Sequence, residues 1–186
     1  VGTDSLMNGP STYIAKYDAN GVFQWVRSDA KDIQGMAANG TNLFVYGDLL
    51  LKSSYADSSF GSGTNASYLA KYLDSAFVKV YLDKPTASAN ILPRDLSIDA
   101  NGNLYATGFF TQSVTIAGQA LTAVNSTDTY LSRYDSNLQP LGVYQVNATG
   151  FTNGLSVAIS STGNYALLVQ YAGQVRFAVD TLFEAT

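Results

Sequence analysis

Short β-prone runs separated by turn residues make up most of this sequence. Tyr, Val, Thr and Phe are plentiful in the runs, and these residues suit a pleated, half-buried surface. Gly, Asn, Asp and Ser fill the joints, where turns are favoured. No window shows the apolar spacing of an amphipathic helix of useful length. The pattern therefore predicts an all-β protein built from short antiparallel strands.

Two phrases recur three times along the chain. The phrase YIAKY, which begins at Tyr13, returns as YLAKY at Tyr68 and as YLSRY at Tyr130. A second phrase interleaves with it and appears as MAANGTNLFVYG, SIDANGNLYATG and AISSTGNYALLV, starting at positions 36, 97 and 158. Such self-similarity is the sequence signature of an array of repeated structural units.

A third phrase belongs to the same period. VTIAGQALT begins at Val114, and it has echoes in VRFAVDTLF at Val175 and in VGTDSL at the start of the sequence. Three elements that share one period make coincidence a poor explanation, so a repeat is the interpretation adopted for the whole chain.

Each repeat is predicted to contain four short strands. The Asn101-Gly102 pair joins two β-prone runs, and Asn-Gly predicts a two-residue hairpin because both positions tolerate positive φ. Asn20-Gly21, Asn39-Gly40 and Thr162-Gly163 stand at similar joints. In the best preserved copy the strands are expected at about 94–99, 104–110, 129–135 and 141–146, with an extra hairpin around 114–122. Four strands in a unit of this size are typical of a propeller blade.

The phrases YIAKYDANGVFQW, IDANGNLYATGFF and VTIAGQALT together resemble the β-propeller repeats of large exported bacterial surface proteins, which abound in the Bacteroidota. The resemblance covers essentially the whole chain, although the first and third copies have drifted. It implies propeller-type blades that act as scaffolds or adhesive modules.

The phase of the repeat divides the chain into partial and complete units. We interpret residues 1–186 as a single repeat array with a half blade at 1–28, blades at 33–83 and 93–146, and a half blade at 152–186. Closed propellers need about four to eight blades. The expected partners are therefore further blades of the same polypeptide or copies of this chain, in a closed dimer or an open filament.

Composition excludes several classes of function. The formal net charge is −4 and the few cations are scattered, which argues against nucleic acid as a partner. No run approaches the length of a membrane helix. The chain has no His and no Cys, so the usual nucleophile pairs and zinc sites are excluded. No catalytic residue, metal site or cofactor is predicted, and the ligand-binding residues are unknown. The surface composition favours an extracellular or cell-surface location.

Carboxylates are the remaining candidates for chemistry. Asp18, Asp74 and Asp135 stand at turns, where capping explains them. Asp99 to Asn103 has alternating oxygen ligands like a calcium loop, but the loop is short and a hairpin turn is favoured. Asp48 and Asp95 are the carboxylates whose variants would test a glycosidase.

Residues that recur at one strand position are assigned to the needs of every unit. Lys16, Lys71 and Arg133 are predicted to pair with a neighbouring strand's Asp or to extend to the rim. The tyrosines at both ends of each YIAKY-type phrase are predicted to pack between units. The residues that the repeat does not explain are Trp25, Arg27, Tyr55, Lys84, Pro85, Arg94, Asp95, Phe151 and Arg176.

The function predicted from the sequence is a non-catalytic extracellular structural or adhesive β-propeller module that mediates protein–protein or cell-surface interaction. One alternative is a lectin-like propeller that holds a surface glycan at its loops. Another is a self-assembling filament or virion surface component, since any extracellular assembly needs similar physics.

Overall fold

The computed structural model describes residues 12–27, 32–49, 54–55, 58–59, 65–86, 88–160 and 162–175. Within these ranges every regular element is a β-strand, which confirms the predicted all-β class. The described residues form no helix that is long and apolar enough to cross a membrane. The strands are β1 (Ile14–Tyr17), β2 (Phe23–Arg27), β3 (Ile33–Asn39), β4 (Asn42–Leu49), β5 (Ser54–Tyr55), β6 (Ser58–Ser59), β7 (Ala66–Leu73), β8 (Ala76–Pro85), β9 (Ile91–Ile98), β10 (Leu104–Phe110), β11 (Ser113–Ile116), β12 (Gln119–Thr122), β13 (Asp128–Tyr134), β14 (Pro140–Val146), β15 (Thr152–Ile159) and β16 (Tyr165–Tyr171).

Two antiparallel sheets form the centre of the structure. The first sheet runs β3-β4-β7-β8 and is extended at β8 by the β11–β12 hairpin, whereas the second sheet runs β9-β10-β13-β14. The strands expected at 94–99, 104–110, 129–135 and 141–146 correspond to the four strands of the second sheet. The hairpin expected around 114–122 is also present, but it pairs with the first sheet through Thr115 and Lys84.

Two-stranded sheets flank this centre in the sequence. We call β1–β2 the leading pair and β15–β16 the trailing pair; β5 and β6 form a further small hairpin. The strands expected within 12–28 and 152–172 correspond to these two pairs. The echoes of the third phrase at the two ends of the sequence lie outside the described residues, apart from Val175.

The hairpin turns correct one sequence expectation. At Asn101-Gly102 only Gly102 has positive φ, at 83°, so the turn is not a two-residue hairpin with both residues in that region. Instead, Asp99 starts a longer loop in which its Oδ1 accepts hydrogen bonds from the backbone N–H groups of Asn101 and Asn103, at 2.9 and 2.8 Å. A type I turn followed by one residue in the left-handed region is the alternative that such loops use.

The same loop recurs between β13 and β14. Asp135 Oδ1 accepts hydrogen bonds from the N–H groups of Asn137 and Gln139, both at 2.8 Å. The residue with positive φ is Leu138, at 60°, and its side chain is fully buried. Burial in the core holds this residue in a conformation that non-glycine residues rarely adopt.

The main core lies between the two large sheets. Phe44 and Tyr46 of β4 pack with Leu96, Leu104 and other buried residues of the second sheet. The second strand of each large sheet is covered on both faces, because neighbouring sheets lie against it on both sides. In β16, by contrast, partly covered and exposed residues alternate, so one face is open.

Candidate functional site

A groove of about 310 Å³ follows the edge of β1. One edge of β1 pairs with β2, and its other edge meets no strand among the described residues. The opposite wall comes from the first sheet. The lining residues are Ile14, Ala15, Lys16 and Tyr17 of β1, Trp25 of β2, Met36 and Ala38 of β3, Gly40 and Thr41 of the following turn, Asn42 and Leu43 of β4, and Asp74 of the β7–β8 turn.

Three of the residues that line the groove are joined by a polar contact. Lys16 Nζ forms an ion pair with Asp74 Oδ1, and Trp25 Nε1 donates a hydrogen bond of 3.1 Å to the same oxygen. The hydrogen bonds from Lys16 and Trp25 lower the pKa of the Asp74 carboxyl below its ordinary value. Asp74 therefore stays ionised and ties the leading pair to the first sheet.

Met36 differs in exposure from the residues at corresponding positions of two other strands. The compared strands are β3, β9 and β15, each of which is the first strand of its sheet in sequence order. β3, β9 and β15 carry a register shift at the same place against the strands they pair with, so Met36 corresponds to Leu96 and Val157. Leu96 and Val157 are each 4 % exposed, but Met36 is 51 % exposed. The first sheet covers Leu96 and the second sheet covers Val157. In the described structure nothing equivalent covers Met36.

Leu168 of the trailing pair is a second apolar residue that is exposed although the residues at corresponding positions are buried. By the same registers it corresponds to Tyr46 and Thr107, which are fully buried. Leu168 itself is 60 % exposed. The two ends therefore present apolar surface at positions that are buried wherever a neighbouring sheet is present.

Two of the three recurring cations, Lys16 and Lys71, connect neighbouring sheets, whereas Arg133 lies over a residue of its own sheet. The predicted pairing with an Asp is confirmed for Lys16. Lys16 reaches Asp74, in the turn that follows the third strand of the next sheet. Lys71 Nζ donates a hydrogen bond of 2.8 Å to the backbone oxygen of Ser136, in the corresponding turn of the second sheet. The Arg133 guanidinium lies over the Tyr105 ring, 5.5 Å from its centroid.

The recurring tyrosines pack between sheets in two of the three copies. Tyr68 and Tyr130 are fully buried, and each lies opposite a glycine of the neighbouring strand, Gly47 and Gly108 respectively. Their partners Tyr72 and Tyr134 are also buried. The prediction of packing is confirmed for these four residues. It is wrong for Tyr13 and Tyr17, which are both 59 % exposed. Their buried counterparts pack against the preceding sheet, and the described residues place neither a preceding sheet nor a second strand beside β1.

A buried polar cluster joins the two large sheets. The Asp83 carboxylate accepts hydrogen bonds from Tyr134 Oη at 2.8 Å, from Ser67 Oγ at 3.2 Å and from the Ala117 N–H at 2.7 Å. These donors come from the second sheet, the first sheet and the β11–β12 turn. Burial is the main cause that raises the pKa of Asp83 to about 6. All of its hydrogen bonds serve contacts inside the fold.

The carboxylates considered for glycoside hydrolysis serve the fold in similar ways. Asp95 Oδ2 accepts hydrogen bonds from Ser156 Oγ at 2.5 Å and from the Val157 N–H at 3.0 Å, which joins the second sheet to the trailing pair. Asp48 accepts a hydrogen bond from Gln34 Nε2 at 3.3 Å, and partial burial raises its pKa. Asp99 is committed to its hairpin loop, because Oδ2 also accepts from Asn103 Nδ2 at 2.8 Å.

The residues that the sequence repeat did not explain do not form one cluster. Trp25 lies in the groove. Arg27 stacks over Tyr72 at 5.2 Å from the ring centroid, and Arg94 stacks over Phe109 at 4.9 Å. Lys84 and Pro85 pair with strand β11, and the backbone oxygen of Phe151 accepts a hydrogen bond from the Ala172 N–H. The Tyr55 side chain and Arg176 lie outside the described part of the structure.

Comparison with known proteins gives no assignment. No protein-family model matches the chain, and no curated protein sequence matches it. In the part of the chain that the structure describes, no group of three or more acidic side chains is placed to hold a metal ion. The groove beside β1 is the candidate site, because it lies along a strand edge that pairs with no other described strand and is lined largely by apolar side chains.

Sequence reasoning missed the residues that define this site. Met36 and Leu168 are ordinary apolar residues of β-prone runs, and their exposure becomes visible only once three sheets are compared. The one signal available was the recurrence of the sequence phrases, from which half units were predicted at 1–28 and 152–186. Asp83 gave no signal at all, because its partners Ser67, Ala117 and Tyr134 are distant in sequence.

Proposed function

We propose that this chain is a non-catalytic structural or adhesive module made of β-propeller-type blades, which binds protein partners through its two open ends. The first and second sheets are the two complete blades, and the leading and trailing pairs are halves of two more. The observation that carries the proposal is the exposure of Met36 beside the burial of Leu96 and Val157 at corresponding positions. Apolar surface of this kind marks an interaction site.

The strand order supports the propeller interpretation. The first strands β3, β9 and β15 follow one another from sheet to sheet, and β9 contacts both β3 and β15. This arrangement suits blades that stack around an axis with their first strands innermost. Among the described residues, a six-stranded and a four-stranded sheet stand in sequence between two-stranded sheets, an order that suits consecutive blades.

The same ends suit either a closed ring or an open assembly. The leading and trailing ends are different surfaces, so contact between copies is head to tail. Such contacts give a ring if the rotation closes and a filament if it does not. A location outside the cell or on its surface fits the Ser-, Thr- and Asn-rich composition and the scarcity of Lys and Glu.

Glycan binding is a second candidate because of the groove. Trp25 and Tyr17 line it together with the Asp74 carboxylate, and aromatic faces beside hydrogen-bonding groups are suited to sugars. The polar groups nevertheless bond to each other, since Asp74 is occupied by Lys16 and Trp25. The apolar surface of Met36 and Leu43 favours a protein occupant.

A bead assay distinguishes the two candidates. Beads coated with the protein are expected to cluster in suspension, and beads coated with the Met36→Arg variant are expected to stay dispersed. Soluble polysaccharides should not inhibit the clustering; inhibition by a polysaccharide would favour glycan binding. Failure of the unmodified protein to cluster, together with retention on polysaccharide beads, would overturn the proposal.

An activity assay tests the absence of catalysis. The protein is incubated with plant and microbial polysaccharides, and newly formed reducing ends are measured. No increase over buffer is expected, because Asp95 is bonded to Ser156 and Val157. Hydrolysis that disappears in the Asp48→Asn or Asp95→Asn variant would contradict the proposal.

A further inference from the structure

We infer that strand β16 of one copy enters the groove beside β1 of a second copy and completes a four-stranded sheet, in the register that the chain itself uses twice. The inference rests on the proposed function and adds the identity of the partner and the pairing of the strands. Its occupant is a second copy of this chain.

The register comes from the two large sheets. Within them the second strand pairs with the third in one arrangement: Leu43 lies opposite Tyr72 as Leu104 lies opposite Tyr134. The arrangement holds along the whole strand, with Val45 opposite Ala70, Ala106 opposite Ser132, Gly47 opposite Tyr68 and Gly108 opposite Tyr130. Two independent strand pairs with one register indicate that the side chains of these strands specify it.

The position of β16 in this scheme is fixed by its own partner. Tyr165 pairs with Ile159 as Leu104 pairs with Ile98, and both strand pairs shift register at the corresponding place. Among the described residues, β1 of the leading pair carries the phrase of the third strands β7 and β13, and the trailing pair has the register of first and second strands. Transferring the register places Tyr165 opposite Tyr17, Leu167 opposite Ala15 and Leu168 opposite Ile14 of the second copy.

The faces of the two ends match in this arrangement. Leu168 takes the place that Tyr46 holds in the first sheet, and Tyr46 belongs to the cluster that covers Leu96. Leu168 of one copy therefore covers Met36 of the other. Both residues are exposed in the single chain, at 60 % and 51 %, and both become buried by one contact.

The edge of β16 has no feature that prevents pairing. Its sequence is YALLVQY, without a charge or a proline, and exposed edges of this kind pair readily with another strand. Across the groove the only charge of β1 is Lys16, which is already neutralised by Asp74. The contact therefore buries no unpaired charge.

One position departs from the internal pattern. Val169 stands where Gly47 and Gly108 stand in the other second strands. A tyrosine ring cannot lie over valine as it lies over glycine, so Tyr13 cannot copy the packing of Tyr68 and Tyr130. Pairing is therefore expected to extend from Tyr17 to Ile14 and to end there.

Disulfide trapping tests the register directly, because the chain has no cysteine of its own. Residues directly opposite each other on antiparallel strands have Cα atoms about 4.5–5.5 Å apart, within the range that a disulfide spans. The Ala15→Cys and Leu167→Cys variants are mixed and mildly oxidised. A disulfide-linked heterodimer is expected as the main product on a non-reducing gel.

A register-shifted mixture is the matched control. Leu168→Cys mixed with Ala15→Cys places the thiols on opposite faces of the sheet, so at least tenfold less heterodimer is expected. The Tyr17→Cys and Tyr165→Cys mixture provides a second matched pair if Leu167→Cys fails to fold. Circular dichroism and thermal melting confirm that each variant is folded.

The outcomes separate this inference from the proposed function. Equal trapping in matched and shifted mixtures, or no trapping of copies that associate by light scattering, would overturn the strand pairing and leave the interaction module standing. A protein that stays monomeric yet clusters beads when mixed with another exported protein would overturn the choice of partner alone. Monomeric behaviour with inert beads would overturn both.

Discussion

The hydroxyl oxygens of Tyr46 and Tyr130 lie 2.5 Å apart in the buried interface between the two large sheets. Tyr46 belongs to β4 and Tyr130 to β13, so this hydrogen bond connects one sheet to the next. Burial raises the pKa of both hydroxyls far above the physiological range, and both remain protonated. A buried interface that contains a satisfied polar pair favours one arrangement of the sheets.

Removing one hydroxyl of this pair leaves the other buried without its partner. Tyr130→Phe is expected to lower the free energy of unfolding by about 1–2 kcal/mol. The Tyr46→Phe/Tyr130→Phe double variant should lose less than the sum of the two single variants, because neither hydroxyl remains. Urea unfolding of the four proteins measures this coupling. Additive losses would show that the two hydroxyls act independently.

Asp83 predicts how stability depends on pH. The pKa of Asp83 is about 6 in the folded chain, compared with 3.8 for the same carboxyl in an unfolded chain. The folded state therefore binds the proton more tightly. Stability from this group is therefore fully present below about pH 4 and falls as the pH rises through 6, by about 3 kcal/mol in all. Urea unfolding at pH 4.5 and pH 7.5 measures the change.

Asp83→Asn is the variant that isolates this effect. The amide keeps the shape of the carboxyl and has partners in the same hydroxyl groups, but it does not titrate. The difference in stability between pH 4.5 and pH 7.5 should shrink in this variant. Asp48→Asn is the control, because Asp48 is only partly buried and its hydrogen bond from Gln34 opposes the effect of burial on its pKa. This variant should therefore change the pH dependence less than Asp83→Asn does. An unchanged pH dependence in Asp83→Asn would contradict the assignment.

Gly108 predicts a steric limit inside the second sheet. A Cβ atom at this position would overlap the backbone oxygen of Leu92 and lie 2.7 Å from Tyr130 Oη. Gly108→Ala is expected to destabilise the protein by about 2–3 kcal/mol, because backbone cannot move aside easily. Gly21→Ala is the matched control: its φ is 77° but no atom lies within 4 Å, so about 1 kcal/mol is expected. Thermal melting of both variants measures the two losses. Equal losses would contradict the steric limit, because they would show that the structure relieves the overlap at Gly108 at little cost.

The local parts of this fold were predictable, and the contacts between sheets were not. The strand expected at 104–110 is observed as Leu104–Phe110, because β-prone runs bounded by turn residues report local structure. The β11–β12 hairpin was also expected, but its pairing with β8 was not, since a pairing between distant segments leaves no local signal. Similarly, an Asn-Gly pair indicated a turn at Gly102, whereas the hydrogen bonds of Asp99 determined its type.

The candidate site was predictable only as a consequence of incomplete repeats. Half units at 1–28 and 152–186 were a prediction from recurring phrases, and these phrases gave no means to select Met36 or Leu168 among many apolar residues. The tyrosines illustrate the same limit, because Tyr13 and Tyr68 share a sequence phrase but differ completely in burial. Burial depends on whether a preceding sheet packs on that face, as the leading pair does on Tyr68, and the phrase itself cannot encode this.

We propose that the apolar surfaces around Met36 and Leu168 of two copies bind each other. Size-exclusion chromatography with light scattering gives the most direct test, by comparing the unmodified chain with Met36→Arg and with a Leu141→Arg control at an exposed position of β14. The unmodified chain and Leu141→Arg are expected at a multiple of 19.8 kDa, and Met36→Arg at 19.8 kDa itself. An unmodified chain that remains at 19.8 kDa at every concentration would contradict the claim.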